Sequence, residues 1–218
     1  MKLSVLAVGL CGGTRELLER RVGGILGEMA WVRSATPDEA CQREPAPDLI
    51  VTMAHSQLAD EVRSRFEAAR ADGRAGPGGE LQIVTLDLTL LPAAVVMLSR
   101  LPADRPIGVV CHHRGCANAF LAEVIRSGVV HHRFASGGFG EMASMDVGCF
   151  VCPEDVAREA RAGSGGRPLV AAPRGLSPYS AAELIQTVLT LRAARQRARG
   201  RSGADGGKEF TAVRRTWR

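Results

Sequence analysis

Short apolar segments and amphipathic segments alternate along most of this chain. Runs rich in Val, Ile and Leu have the length and composition of buried strands, whereas apolar residues recurring every three or four positions indicate helices with one buried face. The strands are predicted at residues 3–10, 29–32, 48–52, 82–87, 107–111, 129–134, 147–151 and 169–172. The helices are predicted at residues 15–26, 37–43, 58–71, 90–99, 117–127, 153–162 and 180–199.

This alternation favours an α/β fold with parallel sheets covered by helices. Two segments, Leu3–Ile25 and Ile107–Gly128, each read as a strand, a polar turn and a helix, which predicts two Rossmann-like parallel-sheet lobes facing a cleft. The proline-interrupted segment Leu101–Pro106 is predicted as the crossing around which the lobes close. The expected organisation is a first lobe over 1–101, a second over 102–178, a helix over 179–199 packing back on the first lobe, and a flexible basic tail over 200–218.

Polar residues follow most of the predicted strands, and ligands of open α/β sheets bind at the carboxyl ends of the strands. Glycines there admit a close approach of the backbone, and the N–H groups that begin a helix favour an anion. The predicted ligand-binding residues are Cys11, Gly12, Gly13, Thr14, Arg15, His55, Ser56, Asp87, His112, His113, Arg114, Gly115 and Ser136. Pro173-Arg174-Gly175 follows the last predicted strand. The alternative is that these are ordinary turn and capping residues.

The basic charge of the chain belongs to its C-terminal end. The net charge is +5, but residues 192–218 hold nine Lys and Arg against two Asp and Glu, which leaves a net charge of −2 for residues 1–191. The body is therefore not expected to bind nucleic acid, while the arginine-rich tail could contact phosphate backbones weakly or act only as a solvated linker.

The six cysteines suggest reduced thiols in a cytoplasmic protein, because no secretory signal or membrane span is recognised. Only Cys149 and Cys152 have the spacing of a zinc-ligand pair, and in a strand they face opposite ways, so Cys149 is expected in the core. His131 and His132 are predicted in a strand, one exposed and one packed. The phosphate loop, the G-x-S-x-G motif and a complete dinucleotide fingerprint are absent, so no cofactor and no metal are expected.

Three segments carry a resemblance to known regulators. Asp48–Arg63, Leu98–Pro102 and Ile107–Cys111 resemble the C-terminal effector-sensing domains of GntR-type transcription regulators, and the first lobe is similar to the sensor domain of propionate regulators. The resemblance spans roughly residues 3–190 and implies a two-lobed α/β sensor. The chain differs in having no winged helix before the first strand, so the resemblance implies ligand sensing without a DNA-binding domain of its own.

A second resemblance is to the aspartate/glutamate racemase superfamily. Ile107–Val110 with Gly128 is similar to the opening of its second half, and Asp146–Cys149 to the region of its second catalytic thiol. Where that family places its first cysteine, this chain has Thr52–Ser56, and two-base chemistry needs both groups. This alternative makes Cys11, Cys111 or Cys149 the reactive thiol.

The leading expectation is a cytoplasmic protein that binds a small anionic metabolite in the interlobe cleft and changes shape around it. It carries no complete catalytic motif, and a homodimer is compatible with its sequence. This expectation requires that the turns following the first strand and the mid-chain strand border the same gap.

Overall fold

A computed structural model describes residues 2–9, 12–42, 46–54, 58–71 and 81–205, with side chains left undescribed at 69–71 and 199–205. In the first lobe, four parallel strands lie in the order β2-β1-β3-β4. The elements are β1 (Leu3–Val8), α1 (Gly12–Leu26), β2 (Ala30–Ala35), α2 (Pro37–Cys41), β3 (Leu49–Met53), α3 (Leu58–Ala71) and β4 (Ile83–Leu86).

The second lobe repeats this arrangement. Its four parallel strands lie in the order β7-β6-β8-β9, and the chain reaches it through the short strand β5. The elements are β5 (Leu88–Leu90), α4 (Pro92–Ser99), β6 (Ile107–Cys111), α5 (Arg114–Arg126), β7 (Phe134–Gly138), β8 (Cys149–Pro153), α6 (Ala157–Gly163) and β9 (Leu169–Ala172). Two parallel four-stranded sheets flanked by helices confirm the predicted fold class.

The last part of the chain returns to the first lobe. Strand β10 (Arg174–Leu176) pairs antiparallel with β5, so the two segments that join the lobes form one two-stranded sheet. Helix α7 (Pro178–Asp205) then places Leu184 and Val188 in the core of the first lobe. Burial of these two side chains holds the helix against that lobe, as its apolar face predicts.

The crossing between the lobes lies earlier than the sequence indicated. Ala94 and Leu98 of α4 are buried in one core cluster with Ile107, Phe120 and other residues of the second lobe. Helix α4 therefore belongs to the second lobe, and the chain crosses at β5 and again at β10. The expected crossing at 101–106 is corrected: this proline-containing segment is a loop within the second lobe.

Strand β7 also differs from the prediction. The segment 129–134 was expected to be a strand, but β6 pairs with 134–138 and aligns Ile107 with Phe134. Val129 follows Gly128, whose φ of +91° ends α5, and Val129 packs into the core while His131 and His132 lie in bends. His131 is exposed and His132 buried, as expected of that pair.

In the described part of the chain, the helices fall short of the length and apolar character that a membrane crossing requires.

Candidate functional site

A cavity of about 420 Å³ lies between the lobes and is lined by residues of both. The first lobe contributes residues after the carboxyl ends of β1 and β3, and the second lobe contributes residues after β6 and β8. The lining residues include Gly9, Thr14, Cys111, His112, His113, Gly115, Cys116, Phe120, Glu123, Asp155 and Arg174. The carboxyl ends of both sheets therefore face one shared cavity, which is where α/β folds hold their ligands.

Helix α5 presents one face to this cavity. Cys116, Ala119, Phe120 and Glu123 all line it and are spaced by three or four residues, which places them on one side of a helix. His113 caps the helix, since its Nδ1 accepts a hydrogen bond of 3.2 Å from the Cys116 amide. The helix thus directs its N-terminal end and a single acidic side chain into the same space.

Arg174 of β10 is the centre of a buried ion cluster at the cavity wall. Its Nη2 donates to Asp155 Oδ1 at 2.8 Å, and its Nη1 lies 3.5 Å from Glu123 Oε2. The side chains of Arg174, Glu123 and Asp155 are only 8%, 6% and 2% exposed. Because two carboxylates face one guanidinium, the ionised cluster carries one excess negative charge.

The cluster leaves polar atoms that no described residue satisfies. Glu123 Oε1 and Arg174 Nε are buried and lack a hydrogen-bond partner within the described chain. Burial raises the pKa of Glu123, and the charge of Arg174 opposes that rise. Burial also lowers the pKa of Arg174, but Asp155 and Glu123 outweigh it and leave that pKa above its ordinary value. A buried acceptor and a buried donor without partners are costly in a folded protein unless something else bonds to them.

The raised pKa of Glu123 predicts a pH-dependent stability. The folded protein retains the Glu123 proton over a pH range in which the unfolded chain has lost it. Stability therefore falls as pH rises from the pKa of Glu123 in the unfolded chain through its pKa in the folded protein.

The variant Glu123→Gln removes this pH-dependent contribution. The free energy of unfolding of the variant, relative to wild type, should therefore increase with pH above about 4.5, by up to about 1.4 kcal/mol per pH unit for one proton. Urea unfolding at a series of pH values measures this. Glu67→Gln, at an exposed position of α3, is the matched control. A difference between Glu123→Gln and wild type that does not change with pH would contradict the prediction.

The two lobes touch directly beside the cavity. The Thr14 hydroxyl donates to Asp155 Oδ2 at 2.8 Å, and Arg21 pairs with Glu154 at 2.8 Å. Gly13 packs so closely on the backbone of Asp155 that a Cβ built on it would lie 1.8 Å from the Asp155 carbonyl oxygen. Asp155 therefore bonds both to Arg174 and to the first lobe.

The structure brings several of the predicted site residues together. Thr14, His112, His113 and Gly115 line the cavity, and Gly13 contacts Asp155 at its edge. The turns after β1 and β6 thus border the same gap. Three other predicted residues, Cys11, His55 and Ser56, lie outside the described residues.

Other predicted site residues lie elsewhere. Gly12, Arg15, Arg114 and Ser136 are not among the described residues that line the cavity. Arg114 is 66% exposed and pairs with Glu141 at 2.6 Å, and Arg15 donates to the Gly9 carbonyl at 3.3 Å. Ser136 lies within β7, where the sequence predicted a turn, and donates to Asn118 at 2.5 Å.

Asp87 lines a second, smaller cavity of about 260 Å³. Glu123 lines this cavity as well as the larger one. The backbone N–H of Asp87 donates to the Ser180 hydroxyl at 2.8 Å, which connects the crossing to α7. Asp87 thus lies at the second cavity and is not among the described residues that line the larger one.

Sequence reasoning missed Glu123 and Asp155, and it noted Arg174 only as one of the polar residues that follow the strands. Arg174 stood in a turn noted after the last strand, but nothing in its neighbourhood indicated burial. Glu123 carried a signal, because it lies between Phe120 and Val124 on the apolar face of α5, where an acid is unusual. Asp155 offered only its position just after β8.

Burial favours the protonated form of three thiols in the second lobe, those of Cys111, Cys149 and Cys152. Cys149 and Cys152 are buried in different core clusters, as their strand spacing predicts. Burial raises the pKa of Cys111 and of Cys152 to about 12, and it also raises the pKa of Cys149. Groups of three or more His, Cys, Asp and Glu suited to a metal ion are absent from the described residues.

The fold and the cavity define a class: a two-lobed α/β protein with a partly open, largely apolar cavity between its lobes and a buried ion cluster at its wall. No protein-family model matches the chain, and a search of curated proteins finds no significant match.

Proposed function

We propose that this protein binds a small polar metabolite in the interlobe cavity and acts as a sensor of it, without catalysis. The observation that carries the proposal is the buried pair of unsatisfied atoms, Glu123 Oε1 and Arg174 Nε, on two side chains that line a 420 Å³ cavity formed by both lobes. A ligand that bonds to them would remove an energetic penalty present in the described chain.

The chemistry of the wall defines the ligand class. The N-terminal end of α5, with Gly115 at the cavity, favours an anionic group such as a carboxylate. The excess negative charge of the ion cluster favours a hydrogen-bond donor or an ammonium group beside Glu123. The proposed ligand is therefore an anionic metabolite that also carries an amino or hydroxyl group.

Ligand binding would couple to the arrangement of the lobes. Residues of both lobes line the cavity, so a molecule that contacts both stabilises the form in which Thr14 bonds to Asp155. Such a shift is the response expected of a sensor domain of the transcription-regulator type. A DNA-binding partner would then respond to the changed arrangement of the lobes.

A thermal-shift screen with three matched sets of compounds tests the proposal. The sets are α-amino acids, the corresponding α-hydroxy acids, and the corresponding carboxylic acids without either group. At least one compound of the first two sets should stabilise the protein, by about 2.7 kcal/mol at a hundredfold excess over Kd. Glu123→Gln should weaken binding of that compound at least tenfold, by about 1.4 kcal/mol. The Glu67→Gln variant, at an exposed position, serves as the control. Failure of every compound to stabilise the wild type would refute the proposal.

A further inference from the structure

The first turn of α5 holds a cysteine paired with a histidine. Cys116 is the third residue of the helix, is half-buried, and lines the interlobe cavity. Its Sγ lies 3.2 Å from Nε2 of His113, the residue that caps the helix. Thiol, imidazole and helix N-terminus therefore meet at one point of the cavity wall.

The hydrogen bonds of His113 determine which ring nitrogen carries the proton. Its Nδ1 accepts from the Cys116 amide, so a neutral ring holds its proton on Nε2, the nitrogen that faces Cys116 Sγ. An N–H donor directed at sulfur stabilises the thiolate, and so does the start of a helix. Cys116 is thus placed to act as a nucleophile.

Cys111 lies next to this pair. It ends β6, five positions before Cys116, it lines the same cavity, and its thiol is hydrogen-bonded with that of Cys116. Burial keeps Cys111 protonated, with a pKa of about 12. The two thiols therefore differ in their surroundings, since Cys116 is half-buried beside an imidazole nitrogen while Cys111 is buried.

A feature of the cavity that is separate from the Cys116–His113 pair also indicates a ligand. Glu123 follows Cys116 by seven residues on the same face of α5, and its Oε1 is a buried acceptor that none of the described residues satisfies. A small molecule that reaches this carboxylate passes along the helix face that carries the thiol. Access of a reagent to Cys116 is therefore expected through the cavity.

We propose that Cys116 is a site of covalent modification by small organic disulfides, with Cys111 as the resolving thiol. The Cys116 thiolate attacks one sulfur of the disulfide, a mixed disulfide forms on Cys116, and the other half leaves as a thiolate that takes a proton from water. In a slower second step, because burial holds Cys111 protonated at neutral pH, Cys111 gives its proton to the departing half and attacks Cys116 Sγ, and that half leaves as a free thiol. Two cysteine thiols are oxidised to one disulfide, and one organic disulfide is reduced to two thiols. Modification of Cys116 does not require that the protein bind a reversible ligand in the cavity.

The test uses the full chain and bis(2-hydroxyethyl) disulfide, an uncharged probe, at neutral pH. Peptide mass spectrometry should find the first adduct on Cys116, formed at least about tenfold faster than on Cys41, which has comparable exposure. In the wild type the adduct should give way to a Cys111–Cys116 disulfide. Cys111→Ser should stop the reaction at the mixed disulfide.

The variant His113→Asn distinguishes the effect of losing the imidazole beside Cys116 from the effect of losing the helix cap. Asparagine retains a side-chain oxygen that caps the helix, but it offers no donor in the place of Nε2. This variant should fold and react about tenfold more slowly at Cys116, whereas His131→Gln, at an exposed position, should react like the wild type. Equal reaction rates at Cys116 and Cys41, or an undiminished rate at Cys116 in His113→Asn, would overturn the proposal that Cys116 is the preferred nucleophile and that His113 promotes its attack. A mixed disulfide that persists in the wild type would overturn the role of Cys111.

Discussion

Replacing Arg174 by methionine should lower the free energy of unfolding by about 3–5 kcal/mol at neutral pH, the cost of breaking a buried ion pair by removing one partner. Methionine keeps an unbranched apolar stem and is shorter than arginine, so the change removes the charge and the hydrogen bonds while most of the stem's packing is retained. Asp155 and Glu123, which are 2% and 6% exposed, would then face each other without a counter-charge. Urea unfolding followed by circular dichroism measures the loss.

Two further variants make the Arg174 experiment specific. Arg65→Met removes an arginine that pairs with Asp38 and Glu61 on the surface, and it should leave the free energy of unfolding almost unchanged. Arg174→Met combined with Glu123→Gln should recover part of the loss, because one of the two uncompensated charges is gone. An Arg174→Met variant as stable as Arg65→Met would show that the ion cluster does not contribute as described.

Gly13→Ala should separate the lobes. The added Cβ would meet the Asp155 carbonyl oxygen at 1.8 Å and its carbon at 2.7 Å, and because both are backbone atoms no side-chain rotation relieves the overlap. Overpacking of this kind costs about 3 kcal/mol when the backbone has to move. The movement would also break the bond from Thr14 to Asp155, so compounds that bind between the lobes should lose affinity.

The same helix supplies the control for Gly13→Ala. Gly24 lies on the exposed side of α1, and a Cβ there meets no atom within 4 Å. Gly24→Ala should raise the free energy of unfolding by about 0.5–1 kcal/mol, since alanine is the better helix former. Thermal unfolding of both variants measures the contrast. If both glycines respond alike to alanine, the close contact between α1 and Asp155 does not exist in solution.

The local pattern of apolar and polar residues predicts most of the fold. Segments such as β1 and β6 are apolar runs bounded by glycine or polar turns, and their repetition with helices predicted two parallel lobes. Strand β7, with the sequence Phe134-Ala-Ser-Gly-Gly138, lacks the β-branched residues that mark a strand, and its pairing with β6 determines its position instead. Strand β10 is three residues long and exists because β5 pairs with it, which no local pattern reveals.

The position of the interlobe cavity could be predicted from the sequence, but most of its charged lining residues could not. The rule that ligands bind where parallel strands end led to Thr14, His112, His113 and Gly115, which do line the cavity. The ion cluster requires Glu123, Asp155 and Arg174 to meet from three elements that are distant in sequence. Such a meeting depends on how α5, the turn after β8 and the crossing strand β10 pack, and periodicity within one element carries no information about it.

The pairing of β5 with β10 limits how the lobes can move. A lobe attached through one strand could swing in many directions, but two strands held side by side by backbone hydrogen bonds resist shear and stretching and yield mainly to bending and twisting. Relative motion of the lobes is therefore expected mainly as bending and twisting near residues 88–90 and 174–176. Arg174 is itself one of those residues, so under the proposed function a ligand that contacts its guanidinium would act directly on the segment where the lobes are joined.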